Sequence, residues 1–161
     1  EVDGLCFRDH GWGLREWSTL LSHRWVSGVF GPELSFCFLA WLAADDSMAT
    51  FGWIVQHDKV TYAKEIDILS YIDRDGICNR GGKVSVTLTT GEKMVIEAEP
   101  LTPSIVSYHQ DIACVDTLCR MRFGDKIGIG DFETTNNSQG GKRRPKNLVR
   151  GVIDNGWHPA G

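Results

Sequence analysis

The sequence has none of the short motifs that assign a catalytic or nucleotide-binding site directly. It contains no Cys-x-x-Cys pair, no His-Glu-x-x-His zinc motif, no Gly-x-Ser-x-Gly nucleophile elbow and no phosphate-binding loop. Gly128 and Gly130 lack the third glycine and the following helix that a dinucleotide fingerprint requires. Because zinc ligands usually come in closer pairs, the sequence predicts no metal site.

Net charge and long apolar runs are also scarce. The formal net charge is −4 for 161 residues, which excludes broad electrostatic attraction to nucleic acid or to an anionic membrane. The longest apolar run covers residues 34–44 and is interrupted by Ser35, so it is too short for a membrane span. The five cysteines are an odd number without close spacing. Such cysteine usage is typical of reduced, buried thiols, and we expect a cytoplasmic protein.

Short alternating segments dominate most of the chain. The clearest covers residues 83–89, where Val84, Val86 and Leu88 are predicted to face inward before a hairpin turn at Thr90-Gly91. About nine or ten such segments, with almost no helix beyond a turn or two near residues 15–22, predict an all-β antiparallel barrel or sandwich.

Composition changes near residue 134. Residues 1–134 carry the strand pattern, whereas residues 135–161 are polar, show little periodicity and contain a basic run at 142–146. We expect a β-barrel domain over 1–134 and a flexible basic tail over 135–161. The basic run is interpreted as a solvated segment or linker, with phosphate contact as the alternative.

One strand is apolar on both faces. In residues 33–43, Phe36 and Phe38 share one face, and Leu39 and Trp41 share the other. A strand of this kind is usually covered on both sides. We therefore expect this region to pack on a second barrel domain or a subunit, and we expect further chain before the strand-like start at Glu1.

The densest cluster of reactive side chains is Arg8-Asp9-His10-Gly11-Trp12-Gly13-Leu14-Arg15-Glu16-Trp17. Asp9 and His10 together suit general acid–base catalysis, with Arg8 or Arg15 tuning the carboxylate. The alternative is a structural salt bridge at the end of a strand.

A second candidate site lies in the last strand. Ile127, Ile129, Asp131 and Glu133 share one face by the period of two. If the isoleucines face the interior, the carboxylates do too, and they need a partner or a proton. We leave open whether they pair inside with an arginine (Arg8, Arg15 or Arg24) or lie exposed beyond a register shift.

Tryptophan is abundant, with six residues in the chain. Several aromatic plates inside a barrel suit a flat or polyene-like apolar ligand, or a carbocation held by cation–π attraction. The candidate lining residues are Trp12, Trp17, Trp25 and Trp53. The alternative is that these side chains only pack the barrel.

The opening cluster resembles a known family signature. The run from Arg8 to Gly13, followed by Arg15-x-Trp17, is similar to the Asp-His-x-Trp-Gly signature of calycin-like double-barrel proteins. These include carotenoid 1,2-hydratases, the AttH-like family and lipocalin-type cyclases. Gly52-Trp53 and residues 128–133 also resemble that pattern, so the similarity runs from residue 5 to about residue 135.

The resemblance implies two packed lipocalin-like barrels with an apolar ligand in or between them. It implies protonation, hydration or cyclisation of an alkene without metal or organic cofactor. Asp9 and His10 match the acid and its partner, and Trp12 matches the pocket lining. We therefore expect half of a two-barrel calycin assembly that acts as a hydratase, cyclase or isomerase.

In that expected mechanism Asp9 and His10 deliver the proton, and Glu133 or Asp131 accepts one or activates water. The ligand would contact Arg15 and the four candidate tryptophans. The alternatives are a non-catalytic barrel that binds an apolar ligand, and a purely structural barrel.

Overall fold

The computed structural model describes residues 3–4, 6, 8–14, 16–45, 47–73, 78–109, 112–137 and 153–154. A short 3-10 helix, Trp17–Thr19, precedes the first strand. The strands are β1 Leu20–Val29, β2 Leu34–Ala43, β3 Met48–Gln56, β4 Lys59–Ile72, β5 Asn79–Leu88, β6 Lys93–Pro100, β7 Ile105–His109, β8 Ile112–Asp116, β9 Leu118–Phe123, β10 Lys126–Asn137 and β11 Ile153–Asp154.

Eight of these strands close into an antiparallel barrel. Strands β1 to β6 follow one another as neighbours, β9 and β10 continue the sheet, and β10 pairs back onto β1. In this closing pair Ser22 lies opposite Asn136 and Val29 lies opposite Ile129. The predicted all-β antiparallel barrel is confirmed. Among the described residues, no helix is long and apolar enough to cross a membrane.

The β7–β8 hairpin lies between β6 and β9 in the sequence, but β6 and β9 pair directly with each other in the sheet. The start of β10 pairs with β9, and its end pairs with β8, where Thr134 lies opposite Val115. The alternation of side chains over residues 112–123 predicts one continuous strand, but the strand is interrupted at Thr117, between β8 and β9. The backbone N–H of Thr117 donates to the Asp131 carboxylate at 3.1 Å instead of continuing the ladder. The hairpin therefore places β8 beside the second half of β10.

The barrel interior is filled by large apolar side chains. Phe36 stacks between Phe30 and Phe38, with ring centroids 5.6 and 5.5 Å apart. Phe36, Phe38 and Phe132 keep at most 1% of their surface exposed. All three belong to the contiguous hydrophobic core of the barrel. The inward positions predicted on β5 are confirmed, because Val84, Val86 and Leu88 are all buried.

Several boundaries differ from the sequence predictions. The alternation of side chains over residues 4–10 predicts a strand, but the described residues among 3–14 lie in no helix or strand. Strand β10 continues past residue 134 to Asn137, because Thr135 is buried and pairs with both β1 and β8. Strand β11 pairs in parallel with Leu69 and Ser70 of β4. The basic run at 142–146 lies outside the described residues.

Candidate functional site

The outer surface of the barrel changes from polar to aromatic across adjacent strands. Successive side chains of a strand alternate between its two faces, so residues opposite one another form rows on the same face. Three outward rows run from β10 through β1 to β2 and β3. They are Thr135–His23–Trp41–Ala49, Glu133–Trp25–Leu39–Phe51 and Asp131–Ser27–Cys37–Trp53.

Glu133 is the centre of the polar end. It is 8% exposed, and its Oε1 atom accepts three hydrogen bonds. His23 Nε2 lies at 2.5 Å, the Thr135 hydroxyl at 2.6 Å and the Cys114 thiol at 3.2 Å. We call His23, Cys114, Asp116, Asp131 and Glu133 the outer polar cluster.

The surroundings of Glu133 keep it ionised. Burial opposes its charge, whereas the hydrogen bond and positive charge of His23 favour it. Together with the hydrogen bonds from Thr135 and Cys114, they lower the pKa of Glu133 to about 2. Burial raises the pKa of the Cys114 thiol to about 12, and the charge of Glu133 adds to this effect. Cys114 is therefore a protonated donor to Glu133.

The pKa of Asp131 is shifted in the opposite direction. Burial, followed by the charges of Asp116 and Glu133, raises the pKa of Asp131 to about 7. Burial also raises the pKa of Asp116, and its hydrogen bond with Asp131 opposes that shift. Near neutral pH the cluster thus holds an ionised Glu133 two residues from Asp131, a carboxyl group that titrates in that range. Such separation of two pKa values is typical of acid–base sites.

His23 joins the outer polar cluster to the aromatic residues. Its imidazole ring stacks on Trp41, with centroids 5.8 Å apart and planes inclined by 24°. Nε2 is bonded to Glu133, whereas Nδ1 is buried and has no hydrogen-bond partner among the described residues. The ring therefore has one nitrogen positioned by a carboxylate and one nitrogen that remains for another group.

The other end of the face is apolar. The side chains of Trp25, Leu39, Trp41, Phe51 and Trp53, here called the aromatic face, are partly or largely exposed. Trp25 Nε1 donates to the Cys37 sulfur at 2.8 Å, and Phe51 meets Trp53 edge to face at 5.2 Å. The expectation that Trp25 and Trp53 line the barrel interior is wrong, because both side chains point outward. The side chains of β1 and β3 that face the interior are those that alternate with Trp25 and Trp53 along each strand.

The opening cluster is exposed. Asp9 and His10 lie at the surface, Arg8 donates to His10 Nδ1 at 3.2 Å, and the His10 ring packs 4.9 Å from Trp12. Trp12 itself is 83% exposed. No contact among the described residues joins Asp9 or His10 to Glu133. Their catalytic role stays a prediction.

The charge of Asp9 nevertheless acts on one residue of the outer surface of the barrel, Cys37. Burial raises the pKa of the Cys37 thiol, the hydrogen bond from Trp25 opposes this, and the negative charge of Asp9 raises it further. The 3-10 helix places Trp17 in a half-buried position, where its carbonyl accepts from the Asn137 side chain at 3.4 Å. Arg15 lies outside the described residues.

The face assignment of β10 is inverted relative to the sequence expectation. Ile127 and Ile129 are 54% and 45% exposed, and they share the outer face with the carboxylates. The inward positions are held by Gly128, Gly130 and Phe132. A Cβ at Gly130 would lie 2.2 Å from the Ser27 carbonyl oxygen, so this position needs glycine. The period of two was predicted correctly, but it does not tell which face turns inward.

The possibility that Asp131 and Glu133 pair with Arg24 inside the barrel is also wrong. Arg24 lies on the inner face and is fully buried, where it donates to Ser70 and Ser22 at 3.0 and 2.8 Å. Glu133, on the outer face, is bonded by His23 instead. Sequence reasoning missed His23, because the contact between β1 and the end of β10 exists only once the barrel closes. It missed Cys114, Asp116 and Thr135, because the sequence does not show that β8 pairs with the end of β10.

Three residues of the cluster also have metal-ligating atoms close together. Cys114, Asp116 and Glu133 each supply one such atom, and these atoms all lie within 4.8 Å of one another. Cys114 and Asp116 are two residues apart in β8, so both project to the same face as Glu133 of β10.

Comparison with curated proteins found no significant match. Comparison with family models matched residues 1–138, which include the whole closed barrel, to the family described as "Domain of unknown function (DUF7064)". Because this match covers most of the chain, the protein belongs to the DUF7064 family.

Proposed function

We propose that the chain binds a flat, apolar small molecule against the aromatic face and acts on it by acid–base chemistry as a hydratase, cyclase or isomerase. The observation that carries this proposal is the stacking of Trp41 on His23, whose ring is held by Glu133. An apolar contact surface and a proton-carrying group are therefore continuous. This moves the expected site from the interior to the outer surface of the barrel.

The aromatic face supplies the binding energy in this proposal. Burial of apolar surface contributes about 25 cal/mol per Å², and indole rings offer large flat areas. Tryptophan faces also attract a cation, which is the charge type that develops when an alkene is protonated. An isoprenoid, polyene or steroid-like ligand matches both properties.

His23 is the proton-transfer group in this proposal. Its Nε2–Glu133 bond fixes the ring orientation. Its buried Nδ1 atom has no partner among the described residues and must become accessible when the ligand binds. A base oriented by a carboxylate is a recurring arrangement in acid–base catalysis. Asp131 provides a second carboxyl group on the same face, opposite Ser27. Proton transfer by one positioned group contributes on the order of 10²–10⁴-fold to a rate.

The exposure of the aromatic face leaves room for a covering partner. The double-barrel resemblance supports a second barrel, in the same protein or in a subunit, that closes over the bound ligand. The five cysteines are free, which supports a reducing cytoplasmic location.

The second candidate function is ligand binding without turnover. It uses the same aromatic face and does not need the His23–Glu133 pair. The two candidates are separated by replacing His23: a catalyst keeps binding and loses turnover, whereas a binding module has no turnover to lose.

The test is quenching of tryptophan fluorescence by a panel of isoprenoid alcohols, carotenoid fragments and steroids. We expect quenching by at least one class and at least about tenfold weaker binding in Trp41→Ala, by the cost of removing an aromatic anchor. Tyr71→Ala, an exposed aromatic change on β4, is the matched control and should bind normally. Quenching that is unchanged in Trp41→Ala, or absent for the whole panel, would overturn the proposal.

The chemical part is tested by product analysis with the ligand that binds most tightly. We expect His23→Gln to retain binding and to lose at least about 100-fold in turnover, the lower end of a general acid–base contribution. Turnover that persists in His23→Gln would remove His23 from the mechanism.

A further inference from the structure

The atoms of Cys114, Asp116 and Glu133 are arranged at distances that suit a shared metal ion. The Cys114 sulfur lies 3.2 Å from Glu133 Oε1 and 4.0 Å from Asp116 Oδ2. Zn–S bonds of about 2.3 Å and Zn–O bonds of about 2.0–2.2 Å give sulfur–oxygen edges of about 3.5 Å in a tetrahedron. One observed sulfur–oxygen distance is shorter than that edge and the other is longer. Small side-chain movements would therefore bring all three atoms to one ion.

The ligand set determines the class of metal. A thiolate is a soft ligand that selects zinc and similar transition metals over magnesium and calcium, which prefer oxygen atoms alone. In a tetrahedral metal site, three protein ligands leave the fourth position for water or another molecule.

The surroundings of the trio also suit a metal centre. Carboxylate ligands of metals are usually held by outer hydrogen bonds, and Glu133 accepts such bonds from His23 and Thr135. The Ser27 hydroxyl is 1% exposed and has no hydrogen-bond partner among the described residues. It lies on this same face, directly opposite Asp131. A buried polar atom without a partner is costly unless another group completes its bonding.

We propose that Cys114, Asp116 and Glu133 form a binding site for one divalent transition-metal ion, best suited to Zn²⁺, with the His23–Glu133 hydrogen bond orienting the carboxylate. Binding forms a bond between the Cys114 sulfur and the metal, and the thiol proton is released to solvent. The ligands come from two strands, Cys-x-Asp in β8 and Glu in β10, which explains why cysteine spacing predicted no zinc site. This inference is independent of the proposed ligand binding.

The test uses the full chain after chelator treatment and titration with Co²⁺, which reports thiolate coordination by a sulfur-to-metal charge-transfer band. We expect one Co²⁺ per chain, the charge-transfer band, and displacement of Co²⁺ by Zn²⁺ but not by Mg²⁺. Cys114→Ser should remove the band. Cys6→Ser, which changes an exposed cysteine, is the matched control and should retain it.

A second pair of variants keeps the test valid if Cys114→Ser fails to fold. Asp116→Asn and Glu133→Gln should each retain the charge-transfer band at saturation and weaken Co²⁺ binding by at least about tenfold, because loss of even a residue that hydrogen-bonds to a metal ligand costs about 10–100-fold in affinity. The proposal is overturned if the wild-type chain binds no Co²⁺, or if the band is retained in a folded Cys114→Ser protein. Neither result would alter quenching of tryptophan by apolar ligands, so the two proposals fail separately.

Discussion

His23 and Glu133 are 110 residues apart in the chain, yet their side chains are joined across the pair of strands that closes the barrel. His23 belongs to the first strand and Glu133 to the strand that returns to it. The outer polar cluster is therefore completed by barrel closure, and its geometry depends on the register of β1 against β10. Changes at this seam should affect both stability and the candidate site.

The first prediction concerns the His23–Glu133 pair itself. In chelator-treated protein, His23→Leu should lower the free energy of unfolding by about 2–4 kcal/mol, because it leaves a buried carboxylate without its main partner. Urea denaturation of wild type, His23→Leu, Glu133→Gln and the double variant gives the coupling energy. We expect the double variant to lose less stability than the sum of the two single changes. Strictly additive losses would show that the two side chains do not stabilise each other.

The second prediction tests the close approach of β10 to β1. Gly130→Ala places a Cβ 2.2 Å from the Ser27 carbonyl oxygen, so the seam must separate. We expect a loss of about 1–3 kcal/mol in the free energy of unfolding, as for an overpacked core position. Gly4→Ala, where a Cβ meets nothing within 4 Å, is the control and should leave the unfolding midpoint unchanged. Equal midpoints for the two variants would contradict the register of the seam.

The third prediction tests which face of β2 and β3 is internal. Phe38 is fully buried, whereas Phe51 is 55% exposed on the outer face. Phe38→Ala should cost about 3–5 kcal/mol because it leaves a cavity. Phe51→Ala should cost less than about 1 kcal/mol, as a surface change. A larger loss at Phe51 than at Phe38, measured by thermal or urea unfolding, would mean that the faces are reversed.

The fourth prediction concerns thiol reactivity. Burial, with a smaller contribution from the charge of Asp131, raises the pKa of Cys119 to about 12, and its side chain is fully buried. Cys6 is exposed. Since only the thiolate is nucleophilic, iodoacetamide at pH 8 should modify Cys6 at least about 100-fold faster than Cys119. Peptide mapping by mass spectrometry measures both rates, and similar rates would contradict the position of Cys119 in the core.

Much of the barrel follows from local patterns. The inward residues Val84, Val86 and Leu88 were predicted from alternation alone, because a half-buried strand must place its apolar side chains on one face. These features depend on neighbouring residues, and a sequence contains that information directly.

The candidate site depends on long-range pairing and could be predicted only in part. Asp131 and Glu133 were identified as unusual from their spacing, but their partner His23 was not. The face of β10 was undetermined, because exposed isoleucines at 127 and 129 are as compatible with the period of two as buried ones. Two structural facts decide between the faces. The close approach of β10 to β1 requires glycine at position 130, and the Phe132 side chain is buried.

The closing seam also has a consequence for the order of folding. Cys114, Asp116 and Glu133 lie within 19 residues of each other and on strands that pair locally, whereas His23 reaches Glu133 only after the ends of the barrel meet. Contacts between residues distant in the chain form late, since closing a long loop costs entropy before it is compensated. The three carboxyl and thiol groups should therefore come together first, and the histidine should join them in the last step of barrel formation.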